Sequence, residues 1–177
     1  MRHKSRDPRL HAPFRAKNSR PTYRLLSNFP DRPRALAELR RVAAPEGCVA
    51  GYVWEFGTER SPSWPLRQAM RQVGAEGPEA PGTESSSIDA LVSLFEGVGL
   101  KRIETRSFDV TVSFNSFEAF WRAQTPSYSP VSKKIAAMSA SQRTGLMETL
   151  RAALPATSNG TISYSARANA IMSRHMD

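Results

Sequence analysis

A chain of 177 residues is long enough for one domain with its own core and too short for two. The formal charge of +9 sits mostly at the front: residues 1–24 hold eight Lys or Arg against Asp7, whereas residues 25–177, with 17 basic and 15 acidic residues, carry only +2 and offer no general basic field for nucleic acid. A lone cysteine, Cys48, excludes an internal disulfide or a thiolate zinc site and fits a reducing, cytoplasmic setting, and no run approaches the roughly 18 apolar residues of a membrane span or supplies an apolar h-region behind the N-terminal charges.

In chain order, residues 1–24 alternate Arg, Lys, Ser and Pro, with Pro8, Pro13 and Pro21 against any helix, and are expected to be a disordered or non-native basic leader. A strand end is expected at residues 27–31. Asp31 is placed to cap a helix over 32–43, whose Ala35, Leu36, Leu39 and Val42 share one face. Pro45 and Gly47 turn the chain, and the short apolar run 48–56, rich in Val and aromatics, predicts a buried strand. Residues 62–73 predict a helix, and 74–84, rich in Gly, Pro and Glu, a loop.

Ser87 caps an expected helix through Glu96, with Leu91, Val92 and Phe95 inward and Gly97 and Gly99 ending it. A strand follows over 101–114, with Ile103, Phe108, Val110 and Val112 as packing positions. Residues 117–121 form a short aromatic helix, and 125–130 a proline-bounded loop. Ser139 and Gln142 have the form of a capping box, opening a helix to about Ala153 that Pro155 stops. Asn159-Gly160 marks a turn. The last expected element is a strand over 161–172, with Ile162, Tyr164, Ala166, Ala168 and Ala170 on one side; no internal repeat is found.

In this order the chain resembles the C-terminal half of class I S-adenosylmethionine-dependent methyltransferases, in the subgroup acting on small molecules. Asn28-Phe29-Pro30-Asp31 with Ala35-Leu-Ala-Glu-Leu-Arg-Arg-Val42 is similar to the end of the family's fourth strand and its next helix. Pro45-Glu-Gly47 stands where the family has Pro-Gly-Gly, before a fifth strand ending here in Tyr52-Val-Trp54-Glu55. Leu94-Phe-Glu-Gly-Val-Gly-Leu100 resembles the helix end before strand six. Phe114-Asn-Ser-Phe-Glu-Ala-Phe-Trp121 resembles the family's substrate-side helical insertion, and Asn159-Gly-Thr-Ile-Ser-Tyr164 through Ala170 its last, antiparallel strand. The resemblance implies an α/β fold: a partial Rossmann-like sheet of about strands four to seven, with flanking helices and a helical insertion, over residues 25–177.

It also implies methyl transfer to a small-molecule acceptor with S-adenosylmethionine as cofactor. In the family the donor lies over a glycine-rich turn after the first strand, and an acid ending the second strand holds its ribose hydroxyls. This chain supplies neither. Its only G-x-G, Gly97-Val-Gly99, follows a helix and precedes a strand, the reverse of the required context. The expectation is therefore a truncated methyltransferase-like protein, inactive alone, without assignable catalytic, cofactor-binding or metal residues. Its exposed sheet edge would favour self-association or a complementing fragment. The alternative is a non-enzymatic protein whose basic tail binds nucleic acid or another partner, although only Phe14 and Tyr23 could stack there.

Five residues are candidates for the substrate side. Asn28 and Phe29 would stand at the carboxyl end of a strand, where open α/β sheets place ligands, or would be a turn asparagine and a packed aromatic. Trp54 and Glu55 end the next strand and could wall a pocket and orient a substrate hydroxyl or amine, or be a core aromatic and a solvated charge. Trp121, with Phe117 and Phe120, could be part of a substrate lid or of the core. With His3 and His11 in the tail and His175 near the end, no histidine stands ready to activate Cys48 or a serine. Methyl transfer from a sulfonium demands alignment more than a strong base.

Overall fold

The computed structural model describes residues 22–25, 31–45, 47–77, 79 and 82–174. These residues form a mixed α/β structure around one four-stranded sheet of order β1-β2-β4-β3, made by β1 (Thr22–Leu25), β2 (Cys48–Trp54), β3 (Lys101–Phe114) and β4 (Ile162–Arg174). β1 is parallel to β2, and β4 runs antiparallel to both of its neighbours, β2 and β3. Among the described residues six α-helices accompany the sheet: α1 (Arg32–Val42), α2 (Trp64–Gln72), α3 (Ile88–Gly97), α4 (Phe117–Gln124), α5 (Pro130–Ala136) and α6 (Ala140–Ala153).

The helix starts have local causes. The Asp31 carboxylate accepts the Arg34 N–H at 2.9 Å, Ser87 accepts from Ala90, and Ser116 accepts from Ala119. At α6, Ser139 accepts from the Gln142 N–H while the Gln142 side chain accepts from the Ser139 N–H, a complete capping box. The glycine pair ends α3 as expected: Gly99 takes φ 77°, its N–H bonds the Glu96 carbonyl, and the Leu100 N–H bonds the Phe95 carbonyl.

Successive strand residues face opposite ways, so β4 serves two cores. Ile171 packs on one face with Leu36 of α1, Val49 and Val53 of β2, and Leu91 and Phe95 of α3. On the other face, Ile162 joins Leu66 and Met70 of α2, Phe120 of α4, Ile135 of α5 and Leu146 and Leu150 of α6. The ladder between β3 and β4 runs on past the end of β2, from Asp109↔Arg167 to Phe114↔Ile162, and this extension carries the second core. Phe114, Phe120 and Tyr164 lock it with ring centroids 5.2 to 6.4 Å apart.

β1, held by parallel pairing with Val49 to Tyr52, spans both sides of the leader boundary expected after residue 24. The strand end expected at 27–31 falls on residues of which 27–30 lie outside the described residues. Two expectations need correction. The loop expected at 125–130 ends in an unforeseen helix, α5, for which Pro130 is the first residue. The strand expected over 48–56 stops at Trp54, and the chain turns through Phe56–Glu59, where Glu59 takes φ 63°. Residues 1–21 of the basic leader also lie outside the described residues.

Candidate functional site

The carboxyl end of β2 is tied down from two sides. The Glu55 N–H bonds the Arg167 carbonyl and the Arg167 N–H bonds the Arg60 carbonyl, both at 2.8 Å, so β4 holds the chain as it leaves β2. Asp109 fixes the same place from β3, bonding the Arg167 guanidinium at 2.8 and 2.9 Å and Arg60 at 2.9 Å. The Arg167 guanidinium, then Arg60, holds the Asp109 carboxyl below its usual range.

Glu55 is 6% exposed and both carboxylate oxygens are engaged. Oε2 accepts from Nδ2 of Asn169 at 2.6 Å, and Oε1 accepts the Gly57 N–H at 2.9 Å. The Ser86 hydroxyl is 3.5 Å from Oε1, but its one proton has a better acceptor in the Thr83 carbonyl at 2.8 Å, and it accepts the Phe56 N–H at 3.2 Å. Asn169 is satisfied too: Nδ2 also donates to the Ser86 carbonyl at 2.8 Å and Oδ1 accepts from Ser107 at 2.7 Å. A buried acid is costly unless it is hydrogen-bonded, and here neutral donors from one strand, Asn169 of β4, and one loop, the Gly57 N–H, each meet one of its oxygens.

The 3₁₀ turn Thr83–Ser85 that presents Ser86 is itself anchored. Arg32, 8% exposed at the start of α1, bonds Glu84 at 2.9 Å. Its guanidinium occupies the space where a Cβ on Gly82 would fall, and Gly82 has φ 84°. A side chain at that position would meet both a steric clash and left-handed strain.

Of the five substrate-side candidates, the structure places Trp54 and Glu55 together at the end of β2. Glu55 is a buried bracket and not the solvated charge that was one of its two expected readings. Trp54 is half-buried opposite Ala168, on the same face as the exposed Tyr52. Trp121 lies in α4, stacked on Phe117 at 6.2 Å and packed against the second core, of which neither Trp54 nor Glu55 is a member. Asn28 and Phe29 lie outside the described residues. Sequence reasoning missed Ser86, Ser107 and Asn169; the available signal was Asn169, an amide two residues from Ile171 on a strand face that turns apolar.

Two nucleophile candidates are quiet. Burial pushes the Cys48 thiol up, with Arg174 opposing and Glu104 reinforcing, which keeps it protonated. The Tyr164 hydroxyl donates to the Pro62 carbonyl at 2.6 Å, and burial pushes its pKa up to about 12. A cavity of about 110 Å³ between α2 and α5, bounded by Met70, Gly77 and Val131 among others, is lined by none of the described candidates Trp54, Glu55 and Trp121.

The donor implied by the resemblance does not fit the described residues. The strand-end acid available, Glu55, is 6% exposed and each of its oxygens is already hydrogen-bonded within the protein. Gly97 and Gly99 form a helix terminus followed by a strand.

No family model matches the chain, and no curated protein matches it. Among solved structures it is similar to a protein of Bacillus halodurans C-125 with a provisional methyltransferase assignment, at 11% identity and a TM-score of 0.45, over 89% of this chain and 63% of that one. It is also similar to the YcgJ protein of Bacillus subtilis, at 14% identity and a TM-score of 0.47, over 89% of this chain and 64% of that one. The chain thus spans less than two thirds of either structure's length. Among the described residues, no helix is long and apolar enough to cross a membrane.

Proposed function

We propose that this chain is the acceptor-side portion of a class I methyltransferase-like domain, serving methyl transfer to a small molecule, and that it does not bind S-adenosylmethionine on its own. The observation that carries the reading is the sheet: among the described strands only the last, β4, runs antiparallel to its neighbours. In this partial Rossmann-like arrangement, Trp54 walls the acceptor side and the Glu55 bracket fixes the strand end that carries it. A complementing polypeptide or second copy adds along the outer edge of β1.

This chain's residues contribute shape and position rather than proton transfer. The buried Glu55 carboxylate is held by Asn169 and Gly57 and burial keeps the Cys48 thiol protonated, and methyl transfer from an activated donor requires no strong base. Thermal denaturation with and without S-adenosylmethionine tests the reading. A donor present at 100 times its Kd would stabilise the fold by about 2.7 kcal/mol. The expected shift is nil, and a rise of several degrees would overturn the claim that the chain lacks a donor site.

A further inference from the structure

β3 closes the sheet on the side away from β1, and no strand pairs its outer edge among the described residues. An edge of 14 residues turns N–H and C=O groups outward at alternate positions, a template for one more strand. Along its first half lies a cavity of about 350 Å³, bounded by Val92 and Glu96 of α3 and by Lys101, Arg102, Ile103 and Thr105. Val92 and Ile103 also pack against the core of Leu91 and Phe95, which gives the groove an apolar, fixed floor.

The rim is basic. Lys101 and Arg102 are exposed, and a bulge between Lys101 and Ile103, with Arg102 at φ 49°, breaks the strand alternation so that both cations border the groove. Arg174 stands opposite Lys101 in register, and Arg40 reaches the Val98 carbonyl at 2.8 Å just past the end of α3. Among the described lining residues Glu96 is the one acid.

A helix alongside a free strand edge, with an apolar slot between them, is the geometry of strand addition. We infer that this groove binds an extended acidic peptide segment that adds to β3 as a further strand. Its backbone pairs with the free edge, an apolar side chain enters the slot, and its carboxylates meet Lys101 and Arg102. This surface is separate from Trp54 and Glu55 and does not depend on the methyl-transfer reading.

The test is amide chemical-shift mapping of the full chain with the blocked hexapeptide acetyl-Glu-Val-Glu-Val-Glu-Val-amide. Saturable shifts are expected over residues 101–107 and 92–96, with loss of binding when alternate peptide amides are N-methylated. The double substitution Lys101→Glu with Arg102→Glu, both on the surface, is expected to weaken binding about tenfold. Equal binding of the lysine counterpart, acetyl-Lys-Val-Lys-Val-Lys-Val-amide, or of the N-methylated peptide would overturn the proposal. So would amide shifts over residues 101–107 that change with chain concentration in the absence of peptide, which would put a second copy on this edge.

Discussion

The side-chain amide of Asn169 lies 2.6 Å from Oε2 of Glu55, joining two residues 114 positions apart that are 1% and 6% exposed. The bond links the end of β2 to the middle of β4, and Ser107 and Ser86 extend it to β3 and to the loop before α3. The place where a strand-end acid could have met a ligand is therefore used to hold the sheet together.

Glu55→Gln keeps the shape but sets one amide donor against another, because Nδ2 of Asn169 already donates there. Asn169→Leu instead removes the donor from a buried carboxylate. Each should lower stability by about 1–3 kcal/mol in urea unfolding, with the slope unchanged. An unchanged midpoint for both would show that the bracket contributes nothing.

Tyr164 gives the alkaline limb. Its pKa rises from the usual 10.0 to about 12, so its contribution to stability is full below pH 10.0 and is lost as pH climbs through about 12. Absorbance of tyrosinate should show a late ionising step, and Tyr164→Phe should remove it.

Asp109 contributes at the acid end. Its carboxyl is held below the usual 3.8 by Arg167 first and then Arg60, so its stabilisation is present above pH 3.8 and is lost as pH falls through the lower folded value. Melting temperatures of Asp109→Asn should show a shallower decline below pH 3.8 than those of the parent chain.

Phe120 is fully buried between Phe114, Phe117 and Tyr164. Phe120→Ala should cost about 3–5 kcal/mol by combining lost transfer energy with a cavity. Ser139→Ala, which removes one half of the α6 capping box, should cost only about 1 kcal/mol. Equilibrium unfolding of the two variants in parallel checks both the values and their order.

Where structure has a local cause, it was legible in the sequence. Asp31, Ser87 and Ser139 cap the helices they were expected to cap, and β3 runs over Lys101–Phe114 as its pattern predicts. β1 was not legible, because Thr-Tyr-Arg-Leu at the end of a basic stretch becomes a strand through pairing with β2, a tertiary cause. α5 was hidden by prolines: Pro130 reads as the end of a loop but occupies a first-turn position where a missing N–H costs nothing. At the candidate site the position of Trp54 and Glu55 was legible. The burial of Glu55 was not, since its donors come from Gly57 nearby and from distant Asn169.

Calorimetric titration of S-adenosylmethionine into the full chain tests the central claim most directly. The account predicts no saturable heat up to millimolar donor, with Glu55→Gln indistinguishable from the parent chain. Saturable one-to-one binding at micromolar concentration, weakened by Glu55→Gln, would contradict it.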